Sequence, residues 1–202
     1  MSANLVSSPT LDFGIQPLPS SLTQADWLSV NVIEDKVRFS LRISEEHRPH
    51  LSNCPALNVP EKINTASTEE EMLVFCLGPD EWLIIASKAQ AKLLKAEIST
   101  RLNAIPYSLV DISHRQIALQ LDGAFVEDVL SVGCPIDLCL AQFPIGKVTR
   151  TIIERAEITL YRSGENTFHL EVWRSFAPYV LSLLEKGYKL ASIDGNTDGK
   201  RF

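Results

Sequence analysis

The segment from Val110 to Leu138 constrains the fold more than any other part of this chain. It contains VDISHRQIALQLDGAFVEDVLSVGCPIDL, in which the run Asp-Ile-Ser-His-Arg ends one predicted strand. A second strand follows at once, because Ile117, Leu119 and Leu121 alternate with polar residues, the pattern of a strand with one buried face. An Asp-Gly pair then leads into a short helix. Two strands and a helix in immediate succession indicate an α+β protein with antiparallel strands.

The second half of the chain is predicted to have the order β, α, β, β, β, α. Asp122 can cap the helix Gly123–Val132 by accepting a hydrogen bond from its first turn, and Gly133 suits the left-handed conformation that ends a helix. Ser175 is predicted to cap a final amphipathic helix that Gly187 closes. The three strands between these helices are predicted at Val148–Ile153, Ile158–Tyr161 and Phe168–Trp173.

The first half is predicted to have the order β, long loop, β, β, α, β. The polar stretch Glu45–Glu71 contains three prolines and is longer than the usual loop of a compact domain. It therefore either binds something or contains a hidden element. The predicted regular elements are the strands Val37–Ile43, Met72–Leu77, Trp82–Ala86 and Tyr107–Ile112 and the amphipathic helix Lys88–Asn103.

Two such halves predict two packed ferredoxin-like units, that is, split βαβ units with antiparallel sheets covered by helices on one face. We expect one domain over residues 22–190, with intertwined halves at about 22–113 and 114–190. Residues 1–21, rich in Ser and Pro, are predicted to form a flexible arm, and residues 191–202 a frayed tail. A short helical turn is predicted at Leu22–Leu28.

Composition restricts the class of protein. The net charge of −6 argues against a nucleic-acid surface, which needs clustered Lys and Arg. No apolar stretch approaches the roughly 20 residues of a membrane helix, and the N-terminus does not resemble a signal peptide. The four cysteines match no disulfide framework. We therefore expect a cytoplasmic protein that binds neither nucleic acid nor membrane.

An acid, a hydroxyl and an imidazole occur together at Asp111, Ser113 and His114. A catalytic triad needs the base within hydrogen-bond reach of both partners. Neighbouring residues of a strand point to opposite faces, so His114 should face away from the other two. We therefore predict a turn cluster and no catalytic residue.

A metal site and a nucleotide site are also weakly indicated. His47, His50 and Cys54 offer three ligand types in the long stretch, whereas structural zinc usually has four ligands, commonly with a paired-cysteine motif. No glycine-rich phosphate-binding motif is present in the sequence. We therefore predict no metal ligand and no cofactor-binding residue in this chain.

Arginines near strands are the more informative candidates. Arg150 lies inside an apolar strand, Arg174 follows one, and Arg115 ends the Asp-Ile-Ser-His-Arg run. A guanidinium group in such a place needs a carboxylate or carbonyls if it is buried. It could anchor an anionic ligand or a partner chain, or it could pair internally. We favour internal pairing for Arg150 and Arg174, with candidate acids Asp111, Asp137 and Glu171.

Three segments, taken in order, resemble the gamma subunit of heterotetrameric sarcosine oxidase: the DISHRQIALQLDGAFVEDVLSVGCPIDL run, then FPIGKVTRT, then WRSFAPYVLSLLEKG. LGPDEWLIIA resembles the first hairpin of that family, and the resemblance covers roughly Met72–Gly187. Asp-Ile-Ser-His-Arg and the following Leu-x-Gly-x-x-x-x-x-x-Leu rhythm also resemble the folate-binding aminomethyltransferases of the glycine cleavage system. The resemblance implies an aminomethyltransferase-like fold of two intertwined ferredoxin-like units.

The resemblance further implies alpha, beta and delta partner subunits, which hold FAD, FMN and NAD. Such a complex demethylates sarcosine to glycine with formation of hydrogen peroxide, and can pass the one-carbon unit to tetrahydrofolate. The chain itself is then a non-catalytic subunit that supports assembly, exposes apolar surface and can self-associate when isolated. Two alternatives remain, a stand-alone folate-binding or one-carbon-transfer protein and a binding module with no small ligand.

Overall fold

Two five-stranded antiparallel sheets form the framework of the protein. A computed structural model describes Leu22, residues 27–51, Cys54 and residues 57–195. The predicted arm 1–21 and residues 196–202 of the predicted tail lie outside these described residues. Leu22 is helical and buried, and the rest of the predicted turn up to residue 26 also lies outside them.

The second half follows its predicted order from β7 to α3, whereas β1 and β3 are absent from the sequence prediction. Two short 3₁₀ helices complete the set, at Glu45–Leu51 and Arg174–Phe176. The strands are β1 (Ser29–Ile33), β2 (Lys36–Ile43), β3 (Thr65–Glu69), β4 (Met72–Gly78), β5 (Glu81–Ser87), β6 (Tyr107–Asp111), β7 (Gln116–Asp122), β8 (Val148–Ile153), β9 (Ala156–Gly164) and β10 (Thr167–Trp173). The α-helices are α1 (Lys88–Arg101), α2 (Val126–Ser131) and α3 (Ala177–Gly195).

Both sheets follow the same plan. The strand order is β3-β4-β5-β2-β6 in the first sheet and β1-β7-β10-β9-β8 in the second. Without β3, the first sheet has the strand order of a ferredoxin-like unit. The second sheet repeats this order without β8, and β1 occupies the position of its final strand. Because β1 precedes the whole first unit in the chain, the two units are intertwined, and the predicted α+β fold is confirmed.

The sheets pack face to face and carry their helices on the outer faces. Phe75, Leu83 and Ile85 of the first sheet form a layer with Val148 and Tyr161 of the second. Alternate residues of β4 and β5 face the other way, into a core shared with α1, as the period of a strand requires. A further core lies between the second sheet and the helices α2 and α3. The polar groups that open onto the space between the sheets are therefore held by two rigid frameworks.

The long stretch Glu45–Glu71 contains hidden elements, as one of its two predicted explanations requires. Its 3₁₀ helix ends at Leu51, which packs with the buried Cys54 and Leu57 into the core beneath α1. The strand β3 then pairs with β4. This segment occupies the place of the first helix of a ferredoxin-like unit. Apolar residues spaced among prolines have no helical period, which explains why the sequence pattern missed it.

Two predicted N-caps are wrong. Asp122 accepts a hydrogen bond from the Gln120 side chain instead of capping, and α2 begins only at Val126 without a side-chain cap. Ser175 lies inside the second 3₁₀ helix, and α3 begins at Ala177. In both cases an irregular turn connects the strand to the helix, so the residue with the best capping chemistry does not stand at the helix boundary.

Both glycines that were predicted to end helices have another role. Gly133 does not have a positive φ, and a Cβ there would lie 2.9 Å from the Cγ1 of Ile153. Gly187 lies within α3, which continues to Gly195 and thus through the first residues of the predicted tail. Both positions require glycine because a neighbouring element approaches closely, which no local pattern reveals.

Candidate functional site

A polar cleft of about 350 Å³ opens between the two sheets. The first sheet contributes residues from β2, β4 and β5, and the second contributes residues from β7, β8, β9 and β10. Three arginines, two glutamates and a tryptophan give the cleft its chemical character: Arg42, Arg115, Arg150, Glu81, Glu157 and Trp173. The cleft therefore joins both units of the fold at a site rich in guanidinium groups.

Glu81 organises two of these arginines. It begins β5 after a tight turn and stands directly opposite Arg42 in the pairing of β2 with β5. Arg42 Nη2 donates to Glu81 Oε2 at 2.8 Å, and Arg150 Nη1 donates to the same oxygen at 3.0 Å. Arg150 Nη2 also donates to Glu81 Oε1, which completes a two-point ion pair between the sheets.

The charges of this group reinforce each other. Burial opposes ionisation of Glu81, but the hydrogen bond and charge of Arg150, with the charges of Arg42 and Arg115, outweigh it and lower the pKa of the carboxyl. The hydrogen bond from Arg150 to Glu81 in turn raises the pKa of the guanidinium group. The pair is therefore fully ionised at neutral pH and fixes the side chains of one wall of the cleft.

Arg115 and Gln116 form the opposite wall, at the start of β7. The Arg115 guanidinium lies over the Trp173 ring, 5.4 Å from its centroid. Trp173 is the register partner of Gln116 in the pairing of β10 with β7. Gln116 is buried, and its Oε1 has no hydrogen-bond partner among the described residues. This wall thus offers an exposed cation beside a buried acceptor.

Two of the three predicted arginines come together here. Arg115 and Arg150 both line the cleft, whereas Arg174 does not line it and donates its backbone N–H to the Arg115 carbonyl at 2.9 Å. Pairing of Arg150 with a carboxylate is confirmed, but the three candidate acids are wrong for it, because its partner is Glu81. Glu81 was not predicted from the sequence, where its signal is an acid directly before the apolar run Trp82–Ala86.

The cluster at Asp111 is a turn. Ser113 Oγ donates to Asp111 Oδ1 at 2.6 Å and accepts from the backbone N–H of Arg38 at 2.9 Å. Burial opposes ionisation of Asp111, but the hydrogen bonds from Ser113 and the charge of Lys95 lower the pKa of this carboxyl. His114 forms no hydrogen bond with either residue in the described part of the chain. The Ser113 hydroxyl is therefore paired with the Asp111 carboxylate and not with the His114 imidazole that a triad would need.

The histidines of the long stretch lie side by side without a complete ligand set. The His47 and His50 rings have centroids 6.1 Å apart, and Cys54 is buried. Over the described residues, no group of three or more potential ligands from His, Cys, Asp and Glu is arranged to hold a metal ion. Among the described residues, no helix is long and apolar enough to cross a membrane.

Comparison with known proteins agrees with this architecture. Residues 50–188 match the sarcosine oxidase gamma subunit family. The chain is 28% identical over 135 residues to a sarcosine oxidase subunit gamma of Corynebacterium sp. strain P-1, a match that spans 66% of each protein and thus just under two thirds of that relative.

Solved structures show the same fold. A chain of the heterotetrameric sarcosine oxidase from Corynebacterium sp. U-96, solved with pyrrole 2-carboxylate, superposes with a TM-score of 0.76 at 20% identity, over 87% of this chain and 91% of that one. The glycine cleavage system aminomethyltransferase T from Bartonella henselae superposes with a TM-score of 0.62 at 14% identity, over 81% of this chain and 47% of that one. Because the family match spans more than half of the sequence, the chain belongs to the sarcosine oxidase gamma subunit family.

Proposed function

We propose that the chain is the gamma subunit of a heterotetrameric sarcosine oxidase and that its role is assembly and stability of the complex. The observation that carries this proposal is the family match over residues 50–188. The partners are alpha, beta and delta subunits, which hold the FAD, FMN and NAD of the enzyme. The complex oxidatively demethylates sarcosine to glycine with formation of hydrogen peroxide and passes the one-carbon unit to tetrahydrofolate.

The surface supports a role in assembly. Large apolar side chains that are more than a third exposed occur on both units of the fold. Partner subunits can cover these side chains when the chain enters a complex. They are Trp27, Ile63, Leu93, Val110, Val132, Leu140, Ile145, Ile152, Trp173, Phe176 and Leu190.

The chemistry of the described side chains supports a non-catalytic role. Glu81 is held by two arginines, and Ser113 is held between Asp111 and the backbone of Arg38. Groups bound in this way stabilise structure and are poorly placed to attack a substrate or take its proton.

Co-expression with cognate alpha, beta and delta chains tests the proposal. We expect the affinity-tagged chain to carry all three partners through gel filtration in one complex, and each partner omitted in turn to reveal which subunit this chain contacts. The isolated chain is expected to be colourless, inactive and prone to self-association. A chain that elutes without its partners under co-expression, or that oxidises sarcosine alone, contradicts the assembly role.

A stand-alone folate-binding or one-carbon-transfer protein is the second candidate, favoured by the structural likeness to the aminomethyltransferase. Titration of the isolated chain with tetrahydrofolate, followed by intrinsic fluorescence, separates the two candidates. Tight folate binding by a chain that ignores its partners supports the second candidate, and partner binding without folate binding supports the first.

A further inference from the structure

The three guanidinium groups of the cleft differ in whether a carboxylate is paired with them. Three guanidinium groups face two carboxylates, which leaves one net positive charge in the lining. Arg42 and Arg150 both donate to Glu81, so the carboxylate of Glu81 neutralises much of their charge. Arg115 forms no ion pair with a carboxylate within the described part of the chain and lies exposed over Trp173. It is the cation that remains available for a ligand.

The neighbouring residue supplies the opposite kind of group. Gln116 is 7% exposed, lines the cleft, and keeps its Oε1 buried with no donor from the described residues. A buried amide oxygen without a partner destabilises the fold, so natural folds retain few such groups. This oxygen and the Arg115 guanidinium belong to consecutive residues that both line the cleft. A ligand that serves both must carry an anion and a hydrogen-bond donor close together.

We propose that the cleft between the sheets binds a small organic carboxylate that carries an N–H or O–H donor beside its carboxylate. Arg115 binds the carboxylate, Gln116 Oε1 accepts from the donor, and Trp173 supplies an apolar surface for the rest of the molecule. Glu81 is a positioning residue, because it holds Arg150 and Arg42 as the far wall. This binding activity goes beyond the assembly role and does not depend on it.

Size and charge select this class of ligand. A volume of about 350 Å³ lies at the lower end of small-molecule sites and admits a molecule of metabolite size. One net positive charge matches a monoanion, whereas Glu81 and Glu157 would repel the second charge of a phosphate group. The polar walls disfavour a purely apolar molecule, since its binding would leave Gln116 without a partner.

Three matched probes test the ligand class on the full-length chain, labelled with ¹⁵N and free of partner subunits. Pyrrole-2-carboxylate has an N–H beside its carboxylate, furan-2-carboxylate lacks the N–H, and pyrrole-2-carboxamide lacks the charge. The indole N–H signal of Trp173, assigned with Trp173→Phe, reports on the cleft. The signal of Trp82, whose indole donates to the Pro60 carbonyl, serves as an internal reference.

We expect pyrrole-2-carboxylate to shift the Trp173 signal in a saturable manner with a millimolar Kd. Furan-2-carboxylate should bind about fivefold more weakly, the effect of one lost hydrogen bond, and the carboxamide should not bind. Saturable binding by the carboxamide, or no binding by either carboxylate to the folded chain, overturns the proposal.

Variants assign the contacts. Arg115→Gln should weaken pyrrole-2-carboxylate binding at least about tenfold, as loss of a charged hydrogen bond predicts, and Gln116→Met should remove the preference for pyrrole over furan. Arg101→Gln is the matched control, since it removes a guanidinium paired with Glu97 on α1, and should leave binding unchanged.

Binding that survives Arg115→Gln in a chain with unchanged thermal unfolding refutes the assignment. If Gln116→Met does not fold, the pyrrole-to-furan ratio in the wild-type chain decides the role of the acceptor: a ratio of one refutes it. Because all signals come from the isolated chain, failure here is distinct from failure to assemble.

Discussion

Arg162 shows what a buried cation requires in this protein. The side chain is 1% exposed, and its guanidinium donates to the Glu127 carboxylate on α2. The remaining donors reach backbone carbonyls in the segment before β8, at the end of β9 and in the turn that follows it, namely those of Leu138, Phe143, Gly164 and Glu165. One side chain thus ties the irregular segment before β8 to the end of β9 and satisfies carbonyls of that segment.

Replacement of Arg162 by Met should therefore lower the free energy of unfolding by about 3 kcal/mol, because the carbonyls lose their donors in a buried place. Urea denaturation followed by far-UV circular dichroism measures the change. Arg101→Met is the control, since the exposed pair of Arg101 with Glu97 is expected to contribute less than about 0.5 kcal/mol. Equal losses in both variants would contradict a structural role for Arg162.

Glu171 is the buried anion between the sheets. Its Oε2 accepts from Arg38 Nε at 2.6 Å across the interface, and its Oε1 lies 2.9 Å from His169 Nε2. Burial opposes ionisation, but the hydrogen bond from His169 and the charge of Arg38 outweigh it and lower the pKa of the carboxyl. The ion pair of Glu171 with Arg38 therefore connects one unit to the other.

A lowered pKa makes this contribution depend on pH. The ionised Glu171 stabilises the fold above the pKa of an unfolded glutamate, about 4.3, and the stabilisation is lost as the pH falls through the folded value. The Glu171→Gln variant should be less stable at pH 7, and its free energy of unfolding should fall less steeply between pH 5 and about pH 3. Urea titrations across this range measure both. The exposed Glu69→Gln control should keep the wild-type slope, and a Glu171→Gln slope equal to that of wild type would contradict the linkage.

At the scale of elements, α2 and α3 pack with almost no space between them. A Cβ at Gly187 would lie 2.8 Å from the carbonyl oxygen of Val129, and backbone cannot move aside as a flexible side chain can. Glycine lowers the stability of α3 as an isolated helix. At Gly187 it allows α2 to approach closely, and this packing completes the core over the second sheet.

Gly187→Ala should consequently destabilise the protein by about 1–3 kcal/mol, the usual cost of overpacking, although alanine is the better helix former. Thermal unfolding measures the effect. Lys186→Ala, at the exposed neighbouring position, should change stability by less than about 0.5 kcal/mol. A Gly187→Ala variant more stable than wild type would contradict the close contact between position 187 and the Val129 carbonyl oxygen.

At the scale of the whole molecule, two features prevent the units from behaving independently. The strand β1 comes before the first unit in the chain but pairs with β7 in the second sheet. The Arg38–Glu171 and Arg150–Glu81 pairs cross the interface between the sheets. Either unit would lose a strand or leave buried charges unpaired if it unfolded alone.

We therefore expect one cooperative unfolding transition. Leu94→Ala, in the core beneath α1, and Leu184→Ala, in the core beneath α3, should each lower the same transition by about 2–5 kcal/mol. Circular dichroism and intrinsic fluorescence should give coincident curves. Two separate transitions in either variant would contradict the interlocked architecture.

Local patterns along the chain determined most of the regular elements. Alternation of apolar residues indicated β2 and β7, and helical periodicity indicated α1 and α3, because a strand or helix with one buried face imposes its own period on the sequence. Continuous apolar runs on either side of a turn indicated β4 and β5. The segment from Val110 to Leu138 was sufficient to indicate antiparallel strands and a one-sided helix. The resemblance in the same segment gave the family, which the match over residues 50–188 supports.

Only the tertiary structure decided how these elements combine. The membership of β1 in the second sheet, the role of Gly187 and the choice of Glu81 as partner of Arg150 all depend on contacts between residues far apart in the chain. A guanidinium group pairs with whichever carboxylate the packed sheets bring within reach, and a glycine is required wherever another backbone approaches. Neither condition produces a periodic pattern in the sequence. The cleft could therefore not be predicted from the sequence, because its lining residues come together only when the two sheets pack.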